Sequence, residues 1–172
     1  MLDEARSLEK SHPIRELEAI PEIREAPGLE ADRPTEWMVD STEHALLRRS
    51  VDLDQIKVVA VSHPLCHFSS AAMHDIHADP LLMQLFKRHA KWLAPQDGRF
   101  DLGVIERSNQ QYPDQQTTLT FRREEWPMID TWATPTFYLL ENGVVKAKVG
   151  GWPREGRRHE LLNGFRQVGV LR

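Results

Sequence analysis

The chain has a single cysteine, Cys66, with imidazoles on either side at His63 and His67 and a hydroxyl three residues on at Ser69. A thiol is a nucleophile only as the thiolate, and it loses its proton more readily at a helix N-terminus or beside a cation. Cys66 stands at such a place. Ile56, Val58, Val59 and Val61 are β-branched and read as a strand buried on both faces. Ser62, His63 and Pro64 end that strand, and from His67 onward the pattern is helical. The unpaired N–H groups and positive dipole end of the helix favour an anion. The spacing therefore predicts a Cys66 thiol pKa below the ordinary value of about 8.5, helped by an imidazolium at His67. A lone cysteine is more often a small buried hydrophobe, but its position at a helix start points to redox use.

The histidines offer a rival chemistry. Of the eight, His63, His67, His74, His77 and His89 fall within residues 63–89, and imidazole with thiolate suits zinc or copper. However, His74 lies about two helical turns beyond Cys66, roughly 10 Å along the axis. A site of Cys66, His63 and His67 would have at most three ligands, so no metal site is assigned. The sequence His159-Glu160-Leu161-Leu162-Asn163 lacks the second histidine of a zinc-protease motif. There is no glycine-rich phosphate loop, and no cofactor is expected.

Composition narrows the partners. A chain of 172 residues, 40% hydrophobic and 28% charged, is globular in type and long enough for one domain with an extension. Its net charge of -4 gives no reason to expect nucleic acid or an anionic membrane as partner. No apolar run is long enough to span a bilayer. Met1 is followed by the polar run LDEARSLEK, which predicts a cytoplasmic protein if Met1 is the true start and a periplasmic one if a leader has been trimmed. One cysteine cannot form an internal disulfide.

The elements that must position Cys66 follow from the pattern. Residues 1–50 read as an N-terminal arm with a short helix, and residues 51–172 as the main domain. Prolines at 13, 21, 27 and 34 interrupt residues 1–36, while Asp40-x-x-Glu43 resembles a capping box opening a helix through Arg49. Beyond the helix at Cys66, Asp79-Pro80 predicts a second helix carrying Leu81, Leu82, Leu85, Phe86, His89, Trp92 and Leu93. Residues 100–106, FDLGVIE, read as the second strand of a parallel crossover, and residues 107–116 as loop. Residues 117–121 read as a short strand and residues 124–132 as a helix with Pro127 in its first turn. Residues 136–140 and 144–149 form a hairpin about the type I′ pair Asn142-Gly143. Gly150-Gly151 ends it, and Pro153 opens a last helix to about Val168.

This order resembles the thioredoxin-like superfamily over about residues 51–171. The run VAVSHPLC is similar to that family's first core strand and active-site loop. Cys66-His67-Phe68-Ser69 occupies the place of its Cys-x-x-Cys, and Thr134-Pro135-Thr136-Phe137 with the following hairpin is similar to its cis-proline loop and terminal hairpin. The N-terminal arm and the longer middle section resemble the periplasmic cytochrome-maturation and peroxiredoxin-like branches more than minimal thioredoxin. The resemblance implies a three-layer α/β/α sandwich with a mixed central sheet. It also implies that Cys66 is the nucleophile, that Pro135 is cis and faces it, and that Thr134 and His63 border the bound substrate. The chain departs from the pattern in three ways. Ser69 replaces the second cysteine, Leu65 replaces the usual aromatic residue, and the buried acid of thioredoxins would fall at Ala60.

Three functions follow as expectations. The first is a monothiol oxidoreductase forming mixed disulfides with a protein or glutathione, with Cys66, Ser69 and His67 as catalytic groups. The second is a copper- or zinc-binding protein on the same fold. The third is a non-catalytic module that binds extended chains beside Pro135.

Overall fold

The computed structural model describes residues 21–96 and 101–172. Eight strands form one sheet: β1 (Glu22–Glu25), β2 (Thr35–Asp40), β3 (Ala45–Ser50), β4 (Val58–Val61), β5 (Ala90–Ala94), β6 (Thr117–Thr120), β7 (Thr136–Glu141) and β8 (Val144–Gly150). The helices are α1 (His67–Ala78), α2 (Pro80–His89), α3 (Leu102–Gln111) and α4 (Arg158–Gln167). The strand order is β1-β3-β2-β6-β5-β4-β7-β8. The sheet is mixed: β4 runs parallel to β5 and antiparallel to β7, and β5 runs parallel to β6.

The inner strand β4 lies between β5 and β7, and its four residues are all buried. Alternate side chains serve opposite faces. Val58 and Ala60 join Phe137, Ala72, Ile76, Phe86, Leu161 and Phe165 beneath α1, α2 and α4. Val59 and Val61 join Val51, Leu93, Tyr138, Trp126 and Ile129 on the other face. This is the strand expected from the β-branched run. It places Cys66 at the carboxyl end of an inner strand, where a ligand site in an open α/β sheet is normally found.

The partner of β4 in the crossover is not residues 100–106. It is β5, in parallel register Val58↔Ala90 to Val61↔Leu93. Residues Trp92, Leu93 and Ala94 were expected to extend α2, but all three are buried. A short run buried on both faces is the mark of an inner strand. The helix before it ends at His89, after the basic last turn Lys87, Arg88 and His89, which complements the helix dipole. Residues 102–111 are instead helical, a correction to both the strand at 100–106 and the loop at 107–116. The Asp101 carboxylate accepts the Val104 N–H at 2.9 Å as an N-cap, and Leu102 and Ile105 bury one helical face.

The helix expected over residues 124–132 is a single 3-10 turn, Arg123–Glu125. Pro127 disfavours the helical region for the residue before it, and Trp126 sits outside that region at φ −116, ψ 60. The hairpin is as expected, with φ of 50 at Asn142 and 74 at Gly143.

The largest difference lies in the first fifty residues. The short helix expected through Arg49 is strand β3, which pairs antiparallel with β2 and parallel with β1. The Asp40 carboxylate does cap N–H groups, those of Thr42 and Glu43 at 3.0 and 3.2 Å, but the cap closes a hairpin turn and opens no helix. Residues 22–25 and 35–36, expected within the arm, are strand. Glu36 fastens this part of the sheet. Its buried carboxylate accepts from Arg49 Nε at 2.8 Å, Lys91 Nζ at 2.6 Å and Thr118 Oγ1 at 2.6 Å. Residues 1–20, with the prolines at 13 and the apolar set Ile14, Leu17 and Ile20, lie outside the described residues.

Candidate functional site

Cys66 is the N-cap residue of α1 (φ −86, ψ 116) and is half-buried. The loop before it closes on itself. The Cys66 N–H donates to the His63 carbonyl at 2.8 Å, and the Leu65 N–H donates to His63 Nδ1 at 3.1 Å. The His63 N–H donates in turn to Ser69 Oγ at 3.3 Å. His63 and Ser69 are 3% and 1% exposed, so both brace the loop from inside. Ser69 lies in the first turn of α1, where residues three apart share a face.

The cis-proline loop approaches from the other side. The Thr134–Pro135 bond is cis, and the Cys66 thiol donates to the Thr134 carbonyl at 3.3 Å. The Gly151 N–H donates to the Pro135 carbonyl at 2.8 Å, and Thr136 Oγ1 donates to the Ala133 carbonyl at 2.7 Å. A further brace was not singled out from the sequence. Trp152 Nε1 donates to Asp75 Oδ2 at 2.8 Å, tying α1 to the segment that leaves β8 just beside the Gly151–Pro135 bond. A tryptophan directly after Gly150-Gly151 was the available signal.

The sulfur therefore has partners suited to both of its protonation states. Burial pushes the thiol pKa up, but hydrogen bonds from the Thr134 side chain, the Ser69 N–H and hydroxyl, and the Phe68 N–H outweigh it, leaving the pKa below its ordinary value. His67 is not among those groups. Its ring is exposed and sits edge-on to Phe68, with centroids 5.5 Å apart. Two large apolar side chains beside the sulfur face solvent, Leu65 at 46% and Phe68 at 55% exposure.

The histidine cluster does not converge. His74 contacts Asp75 at 3.3 Å, and the His77 ring packs on Tyr112. Among the described residues no three His, Cys, Asp or Glu side chains meet as a metal site requires. Nor, among the described residues, is any helix long and apolar enough to cross a membrane.

An inner parallel pair, a cysteine at the N-cap position of the helix after β4, and a cis-proline loop against its sulfur define the class: the fold is thioredoxin-like. The chain superposes on the solution structure of a candidate thioredoxin from Neisseria meningitidis with a TM-score of 0.50 and 14% identity, over 81% of this chain and 93% of that one. A crystal structure of a thioredoxin-like protein from Bacteroides caccae aligns with a TM-score of 0.49 and 17% identity, over 82% of this chain and 48% of that one. No family model matches the sequence, and no curated protein matches it significantly.

Proposed function

We propose that this protein is a monothiol redox protein in which Cys66 forms mixed disulfides with a protein or glutathione partner. The observation that carries this reading is the placement of the sulfur, at the N-terminus of α1 and 3.3 Å from the Thr134 carbonyl that precedes cis Pro135. In the reaction, the Cys66 thiolate attacks one sulfur of a partner disulfide. A Cys66–S–S–partner bond forms, the partner disulfide breaks, and the second partner sulfur leaves as a thiolate that takes up a proton. The described hydrogen bonds to sulfur favour the attacking anion. Thr134 and Pro135 border the place where the partner chain lies, and exposed Leu65 and Phe68 offer it apolar contact.

Ser69 stands where a resolving thiol would be, and the chain has no other cysteine. The mixed disulfide therefore persists until an external thiol attacks it. Ser69 instead helps hold the Cys66 pKa down, and its hydroxyl oxygen accepts the His63 N–H. His63 braces the loop, and His67 contributes to the exposed rim of the site.

The test is incubation of the reduced protein with glutathione disulfide at neutral pH, followed by intact mass measurement. One glutathione adduct per chain, located at Cys66 and removed by dithiothreitol, is the expected result. No adduct on the folded protein, with ready modification of the unfolded chain, would overturn the reading.

A further inference from the structure

Residues 130–135 form neither helix nor strand, yet they carry Thr134 to the Cys66 sulfur, so side chains must fix their path. One side-chain oxygen holds the start of the loop. The Tyr138 hydroxyl accepts the Thr131 N–H at 3.0 Å. Its single proton is shared between the Thr131 carbonyl at 2.8 Å and Asp130 Oδ1 at 2.7 Å. Both backbone groups of Thr131 therefore meet one atom. Tyr138 is 1% exposed and packs with Val59 and Val61, so its ring is a fixed post. Burial and the Asp130 carboxylate push its pKa up to about 12, and the hydroxyl keeps its proton at neutral pH. Lys148 stands opposite Tyr138 in the β7–β8 register and donates to Asp130 Oδ1 and Oδ2 at 2.8 and 2.9 Å. Asp130 and Lys148 are exposed, and such an ion pair adds little by itself; the buried hydroxyl is the anchor. From Thr131 the path runs on to the site. The Ala133 N–H donates to Thr131 Oγ1 at 3.3 Å, the Ala133 carbonyl accepts from Thr136 Oγ1, and Thr134 follows against the sulfur.

We propose that Tyr138 is a positioning residue for the chemistry of Cys66: its hydroxyl clamps Thr131 and thereby sets where Thr134 and Pro135 stand for an arriving partner chain. The proposal rests on the mixed-disulfide reading of Cys66, in which that partner lies along Thr134 and Pro135. Tyr138 packs on the sheet face away from α1 and acts through the loop. Without the hydroxyl, the Thr131 N–H and carbonyl lose their partner, and the chain ahead of Pro135 gains freedom. A disulfide that must dock along the loop then reacts more slowly. A small alkylating agent needs only the thiolate and is unaffected. Asp130 and Lys148 bear on the reaction by orienting the hydroxyl.

The test compares Tyr138→Phe with the unsubstituted full chain; phenylalanine keeps the buried ring and removes one oxygen. Rate constants for glutathione disulfide and for iodoacetamide are measured above the thiol midpoint of each protein, so that ionisation cancels. The ratio of the first to the second is expected to fall about fivefold in Tyr138→Phe, the size of one ordinary hydrogen bond. It is expected to stay unchanged in Gly164→Ala, which disturbs packing against Leu139 instead. An unchanged ratio in Tyr138→Phe, or an equal fall in Gly164→Ala, overturns the positioning role alone. A second measurement needs no variant. The Thr131 amide of the unsubstituted protein is expected to be protected from hydrogen exchange, and exchange at the rate of an unfolded chain overturns the clamp. Failure of the folded protein to react with glutathione disulfide at all overturns this proposal together with the reading on which it rests.

Discussion

The sulfur of Cys66 donates to the carbonyl oxygen of Thr134 at 3.3 Å, across 68 positions of sequence. A carbonyl accepts from the neutral thiol and offers nothing to the thiolate. Loss of the proton therefore exchanges this partner for the donors around the sulfur, the Thr134 side chain, Ser69 and the Phe68 N–H. The contact also fixes the distance between two elements that sequence order keeps far apart, the start of α1 and the loop before β7. The segment after β8 joins each of them, α1 through Trp152–Asp75 and the loop through Gly151–Pro135, at 2.8 Å each. The site is thus held on both sides by short hydrogen bonds that do not involve the reacting atom.

Ser69→Cys is expected to restore an internal resolving thiol. Positions three apart at a helix start have Cα atoms about 5–6 Å apart, within the disulfide range. Ser69 is buried in the first turn of α1, three residues after Cys66. The oxidised variant should lose two hydrogens by mass spectrometry and reduce insulin with turnover. Two free thiols persisting in the oxidised, folded variant would show that position 69 does not face the nucleophile.

Glu36→Gln tests how the first strands are attached. The change leaves the Lys91 ammonium, only 14% exposed, without its carboxylate. Burial already lowers the Lys91 pKa and Glu36 opposes that shift. Removal of one member of a buried pair costs about 3–5 kcal/mol, to be measured by urea unfolding. Glu36→Gln combined with Lys91→Met should recover much of that loss, because no unpaired charge then remains on that side. Equal stabilities of Glu36→Gln and the unsubstituted protein would mean that the pair does not hold the sheet together.

Gly164→Ala should destabilise the chain without altering the thiol. A Cβ at Gly164 would meet the Leu139 side chain at 2.6 Å, and Leu139 is fully buried. Overpacking of this kind costs about 1–3 kcal/mol. Thermal unfolding should show the loss, while the Cys66 alkylation rate below the transition stays the same.

Much of this fold was legible where local chemistry and tertiary demand agree. Val58 to Val61 suit only a buried strand, Asn142-Gly143 specifies its turn, and Asp79-Pro80 marks a helix start that the structure retains, with Asp79 accepting from Leu81 and Leu82. The Cys66 junction and the Thr134-Pro135 loop were legible through their resemblance to a known pattern. The failures arose where local signals permitted two answers. Trp92 and Leu93 continue the helical spacing of Leu85 and Phe86, and only the need of β4 for a parallel neighbour makes them strand. In residues 100–106 the alternation of Phe100, Leu102 and Val104 competed with the Asp101 cap, and the cap prevailed. The strands of residues 22–50 were hidden because their burial depends on charged residues. Glu36, Arg48 and Arg49 look like a solvated face in sequence, yet Glu36 is buried among cations from β3 and β5.

The lowered thiol pKa also has a consequence for stability. Between the folded value and the unfolded value of about 8.5, the folded chain binds fewer protons than the unfolded one. Stability therefore rises with pH through that window and the gain is kept above it; it is lost as pH falls through the folded value. Cys66→Ser should lack this part of the rise.

The most direct test of Cys66 as a nucleophile is its rate of alkylation by iodoacetamide across pH, measured on the folded protein and on the same chain in denaturant. The folded protein is expected to show a midpoint below about 8.5, with the thiolate already reacting at pH values where the denatured chain is still protonated. A midpoint equal to or above that of the denatured chain would contradict the assignment and return Cys66 to the role of a half-buried structural residue.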